Sequence, residues 1–151
     1  MLKLILSLIL IVSSLFIGQS MSSRLYRRRE ILMLFMDQIR TSAAKLAYAA
    51  DTVYELFDSF SFDCNQPFLP QWENVLSVYK NALNQKDLAL LRDFARGLGD
   101  SDTPSQLKYM NYYLTLLESR LNDAESDIRQ KAKLYRILGF SAGVTLSLFL
   151  I

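Results

Sequence analysis

Chemistry in this chain would have to proceed without imidazole, because its 151 residues include no histidine. That removes the commonest general acid and base, the Ser-His and Cys-His nucleophile pairs, and most zinc sites. Cys64 is the one cysteine, so no internal disulfide forms. It has no basic neighbour close in sequence to lower its pKa and reads as a free thiol. Glu118, Asp123 and Glu125 could serve a small membrane enzyme that works through carboxylates. Their helical spacing favours a solvated face paired with Arg120 or Arg129. Gly97-Leu98-Gly99 opens like a dinucleotide fingerprint, but Asp102 stands where the third glycine belongs and no strand precedes it. Asp100 and Asp102 do not start an EF-hand, which needs Gly and Glu where this chain has Ser105 and Asn111. The expectation is a protein that is not an enzyme and that holds no cofactor or metal.

The elements that place these residues are set by where the charge lies. Hydrophobic residues are 51% of the chain and charged residues 21%, and the two ends carry almost none of the charge. From Leu4 to Phe16 every residue is apolar or Ser, and Ile137–Ile151 carries no charge. Both ends read as membrane spans, residues 1–21 and 137–151, around a helical domain over 22–136. Arg24, Arg27, Arg28 and Arg29 follow the first segment, and Arg129, Lys131, Lys133 and Arg136 precede the last. Cytoplasmic flanks are rich in Lys and Arg, so the middle should be cytoplasmic and both termini outside. The arginine cluster is read as a topology and anionic-lipid flank rather than a nucleic-acid site, in keeping with a net charge of only +2. The alternative is a secretory signal peptide cut near Ser20, releasing a helical binding module. Gly139, Gly143 and Ser147 make a small-residue stripe, with a weaker echo in Ser7, Ser14 and Gly18. Such stripes let another helix approach closely, either within the chain or from a partner, and leave room for a homo-oligomer.

Between the ends, apolar residues recur in steps of three and four from Leu32 to Phe60, with a break expected near Ala50 from the caps Asp51 and Thr52-x-x-Glu55. A loop over residues 59–67 precedes a helix starting near Pro70, and another runs near Asp87–Arg96. Gly97 and Gly99 should end it by taking left-handed backbone. Thr103, Pro104 and Gln106 should then cap a long helix, with Thr103 and Gln106 bonding each other. Its apolar period is interrupted only at Lys131, so it should run unbroken into the membrane. The fold class is therefore all-α: an antiparallel helical bundle between terminal transmembrane helices, the last helix continuous with its span.

The segment Gly97-Leu98-Gly99-Asp100-Ser101-Asp102, with Gln106 four residues on, resembles the GLGxSDxxxQ motif of the stage III sporulation protein AB family. Leu134-Tyr135-Arg136-Ile137-Leu138-Gly139 with Gly143 resembles that family's C-terminus, and the anchor, arginine flank and Leu88–Leu91 follow its layout. The chain departs from the pattern at Thr103-Pro104 and at Ala50-Asp51-Thr52. The resemblance implies a component of the sporulation channel in the mother-cell membrane around the forespore. It also implies partners, namely a secretion-type ATPase and sibling stage III sporulation membrane proteins. The helical domain would be similar to the cytoplasmic domains of type II secretion and type IV pilus platform proteins. Far from the membrane at the start of the long helix, Gly97, Gly99, Ser101, Asp102 and Gln106 offer a partner-binding loop; the alternative is that these residue types serve only to turn the chain and cap the next helix.

Overall fold

The three- and four-residue steps that begin at Leu32 put Leu32, Phe35, Ile39 and Ala43 on one helix face, and all four are buried. The computed structural model describes residues 2–48, 53–99 and 101–150, and their side chains except at 2–8, 10, 11, 53, 54, 58, 147, 149 and 150. Among the described residues the chain is all-α, without strands. Helix α1 (Leu2–Tyr48) is followed by a single turn α2 (Val53–Leu56), α3 (Phe68–Tyr79), α4 (Gln85–Arg96), α5 (Thr103–Asp127) and α6 (Lys133–Leu150). The break expected near Ala50, with its caps Asp51 and Thr52, falls on residues 49–52, which lie outside the described residues.

The chain divides into two compact units: Met1–Arg29 with Asp123–Ile151, and Glu30–Asn122. In the second, Trp72 of α3 is 1% exposed, and the rings of Phe35, Phe57, Phe60, Phe62, Phe68 and Phe94 lie 5.5–6.3 Å from it. Its indole N–H donates to the Leu91 carbonyl at 3.0 Å, so burying it leaves no donor unpaired. Phe57 and Phe94 are fully buried beside it.

Two helix starts differ from the spacing-based expectation. α3 begins at Phe68, which places Pro70 inside the first turn, where a missing N–H costs nothing. α4 begins at Gln85 because Asn84 caps it: the Asn84 side chain accepts from the Asp87 amide at 2.8 Å, and Asp87 accepts from the Asn84 amide at 3.2 Å. The segment 84–86 thus caps and opens the helix.

The long final helix is not one α-helix. A π-helical turn, Ile128–Ala132, separates α5 from α6. It lies where the apolar period breaks: the wider turn buries Ala132 and leaves Lys131 exposed, its ammonium donating to Asp127 at 2.5 Å. Among the described residues, no helix is long and apolar enough to cross a membrane. The spans read over 1–21 and 137–151 are therefore not supported as spans, although both stretches are helical within α1 and α6. Part of each apolar run, including the side chains of 2–8, lies outside the described residues.

The cap of α4 yields a prediction. Asn84→Ala should destabilise the folded chain by about 1 kcal/mol, while Asn84→Asp should be near neutral. Urea denaturation of the full chain measures both, and equal losses in the two variants would remove the capping account.

Candidate functional site

The loop between α4 and α5 takes its shape from contacts inside its own unit. Gln106, in the first turn of α5, is 6% exposed. Its side-chain amide donates to the Gly97 carbonyl at 3.2 Å and to the Ser101 hydroxyl at 3.1 Å, so it clamps both limbs of the loop. It does not bond Thr103, as the capping reading required. α5 starts instead at Thr103, with the Gln106 amide donating to the Asp102 carbonyl at 2.9 Å. The difference is one of position: Thr103 is already the first helical residue, which leaves Asp102 in front of it.

The two glycines of the loop do different work. Only Gly99 has positive φ, at 88°. Gly97 has φ −93°, which any residue adopts. What excludes a side chain at Gly97 is Tyr109: a Cβ there would lie 2.3 Å from its hydroxyl oxygen and 2.5 Å from Cζ. That hydroxyl donates to the carbonyls of Asp93 and Phe94 at 2.9 and 3.0 Å, and the ring stacks on Phe94 at 5.9 Å. Burial, then the hydrogen bond with Tyr113, raises the Tyr109 pKa well above the usual phenol value, so the group keeps its proton. No motif in the sequence marks this role for Tyr109. Its place three residues after Gln106, on the same helix face, was the available signal.

Beside the loop lies an open cleft whose apolar wall is Leu46, Leu56 and Leu98 and whose rim is Gly99, Ser101, Thr103 and Gln106. The structure thus brings Gly97, Gly99, Ser101, Asp102 and Gln106 together in one turn. Gly97 and Gln106 face inward, while Gly99, Ser101 and Asp102 are exposed. Asp100 lies outside the described residues.

In the other unit, α1 runs antiparallel to the π turn and α6, held by close backbone approach. The Ser14 hydroxyl donates to the Gly139 carbonyl. A Cβ at Gly139 would lie 3.0 Å from the Ser14 carbonyl oxygen and 3.1 Å from the Gly18 Cα; one at Gly18 would lie 2.7 Å from the Tyr135 carbonyl oxygen. These neighbours are backbone and cannot yield as a side-chain end does. Gly143 is buried as well, and Ser22 is fully buried with its hydroxyl unpartnered, so it serves there by its small size. Ser7 and Ser147 have no described side chains.

The four arginines after the first apolar run divide into two kinds. Arg28, 7% exposed, pairs with Asp127 at 3.0 Å, and Arg29 pairs with Glu125 at 3.0 Å. Arg24 and Arg27 are exposed. The carboxylates considered for acid–base work face cations: Glu118 lies 3.7 Å from Arg40, and Glu125 lies between Arg29 and Arg129. Among the described residues no group of three metal-ligating side chains occurs.

The family model for stage III sporulation protein AB matches residues 65–151, more than half of the chain, covering the clamped loop, the π turn and Gly139. The chain is similar to stage III sporulation protein AB of Bacillus subtilis (strain 168), with 31% identity over 110 residues, 72% of this chain. That stretch spans 64% of the relative's own length, less than two thirds of it. No solved structure matches.

Two outcomes test these contacts. Gly97→Ala should cost about 1–3 kcal/mol through overpacking against Tyr109. The same substitution in a Tyr109→Ala background should cost close to nothing, and equal costs in both backgrounds would refute the contact. For the helix pair, Gly139→Ala should destabilise the folded chain by about 1–3 kcal/mol, because its Cβ would press on the backbone of Ser14 and Gly18, whereas Ser141→Ala on the exposed face of α6 should be near neutral. Equal effects of the two substitutions would mean that these backbones do not meet.

Proposed function

The chain belongs to the stage III sporulation protein AB family, and from that premise we propose that it acts in sporulation as a non-enzymatic membrane platform. In this reading it is a component of a secretion-like channel complex between mother cell and forespore. Its ends anchor it in the mother-cell membrane around the forespore, and its helical middle is cytoplasmic. The clamped loop Gly97–Gln106 docks a secretion-type ATPase, and the anchors sit among sibling stage III membrane proteins.

The observation that carries this reading is the inverted packing of the helix pair. Small residues, Ser14, Gly18 and Gly139, make the contact, while large apolar ones point away: Phe16 is 73% exposed, Ile17 64% and Leu148 71%. Water penalises that arrangement, whereas hydrocarbon favours it, because lipid solvates the outer face and close backbone packing holds the helices together. The absence of an enzymatic role is supported by the cation pairing of Glu118 and Glu125. Secretion by cleavage near Ser20 is not favoured: α1 runs unbroken past that point, and Gly18 packs against Gly139.

A two-armed experiment in sporulating cells tests the proposal. A photoreactive residue at exposed Thr103 should capture a secretion-type ATPase. Native Cys64, also exposed, should react with an impermeant maleimide only after protoplast lysis. Labelling of Cys64 in intact protoplasts would end the platform reading, since no cytoplasmic ATPase could then reach the loop.

A further inference from the structure

The net charge of +2 conceals a division of charge between the two compact units. Met1–Arg29 with Asp123–Ile151 carries nine Lys and Arg against three Asp and Glu, a formal +6. Glu30–Asn122 carries eight against twelve, a formal −4. The three acids of the basic unit are already engaged: Asp127 with Arg28 and Lys131, Glu125 with Arg29 and Arg129, and Asp123 in an interaction of its own. Arg24, Arg27, Lys133 and Arg136 are exposed, and none of them makes an ion pair or hydrogen bond among the described residues.

These four cations border the exposed apolar surface. Met21 and Tyr26, 46% and 43% exposed, flank Arg24; Leu134 and Ile137, 53% and 54%, flank Lys133 and Arg136. Cationic ends on long aliphatic stems, mixed with half-exposed apolar side chains and a tyrosine, match the boundary between hydrocarbon and headgroup. The nearby cleft lined by Tyr26, Arg29, Ile128 and Arg129 is a poorer anion site, because Glu125 lines it too and already neutralises both arginines.

We infer that Arg24, Arg27, Lys133 and Arg136 form a binding band for anionic phospholipid headgroups, so that the protein selects anionic lipid around its paired helices. Arg28 does not belong to this band; it is a structural partner of Asp127. The inference rests on the membrane reading above, and the test separates the two. The full chain is reconstituted in phosphatidylcholine nanodiscs containing a minority of phosphatidylglycerol, transferred to detergent, and its retained lipids are quantified by mass spectrometry.

Each basic side chain at an anionic surface contributes about a fivefold preference. Phosphatidylglycerol should therefore be enriched well above its bulk fraction. The enrichment should vanish in the combined Arg24→Gln, Arg27→Gln, Lys133→Gln, Arg136→Gln variant and persist in a charge-preserving variant with lysine at the three arginine positions. A circular dichroism spectrum unchanged from wild type confirms that the glutamine variant folds. Retention of both lipids at the bulk ratio by the wild type, or undiminished enrichment in the glutamine variant, overturns the headgroup band and leaves the anchors intact. A chain that retains no lipid overturns the membrane reading and the band with it.

Discussion

Trp72 takes six aromatic neighbours from α1, the turn after α2, α3 and α4, and fills its one polar requirement with the Leu91 carbonyl. The order of the loop follows from that cluster by direct contact. Phe94 packs on Trp72, Tyr109 stacks on Phe94, and the Tyr109 hydroxyl occupies the space that a side chain at residue 97 would need. Gln106 then ties residue 97 to Ser101. Enlarging the core at Trp72 or thinning it at Phe94 would therefore move the loop, because close-packed interiors transmit displacement instead of absorbing it.

The hairpin formed by α1 with the π turn and α6 is organised on the opposite principle. There the smallest side chains lie at the contact and the largest lie outside, so backbone proximity and the Arg28–Asp127 and Arg29–Glu125 pairs hold the helices. The Arg28 guanidinium is largely buried at this contact, and Asp127 is shared between it and Lys131. The π turn keeps that arrangement in register. Ala132 instead of Lys131 meets the interior, and the ammonium turns back to Asp127, a hydrogen bond that raises its pKa.

Local pattern carried far in this chain, and its failures share a cause. The apolar steps through Leu32, Phe35 and Ile39, and those through Met110 and Leu117, identified faces that are buried. Period alone also located the anomaly at Lys131, but a missing step does not say whether a charge is buried, a helix bends or a turn widens. That choice depends on what faces it. The same holds for Arg28, whose neighbours in sequence are other arginines and whose acid lies ninety-nine residues away. Gly97 and Gly99 looked equivalent because both stand at a helix end, yet only one has positive φ. The other is glycine on account of a tyrosine twelve residues later, a contact that no propensity encodes.

The residues that carry the family resemblance are largely spent on internal contacts. In the loop, Gly97 makes room for Tyr109 and Gln106 bonds across the turn; in α6, Gly139 makes room for Gly18. Such residues define shape, and a family that keeps them keeps the turn and the helix pair. They do not by themselves choose a partner, since side chains turned inward offer nothing to recognise. What the shaped backbone presents outward is Gly99, Ser101 and Thr103 at the rim of the apolar cleft, with exposed Asp102 beside them, on a unit of net negative charge. Of these, Gly99 with φ 88° and Ser101, whose hydroxyl accepts from Gln106, also hold the turn, which leaves the side chains of Asp102 and Thr103 as the ones turned outward without a part in its shape.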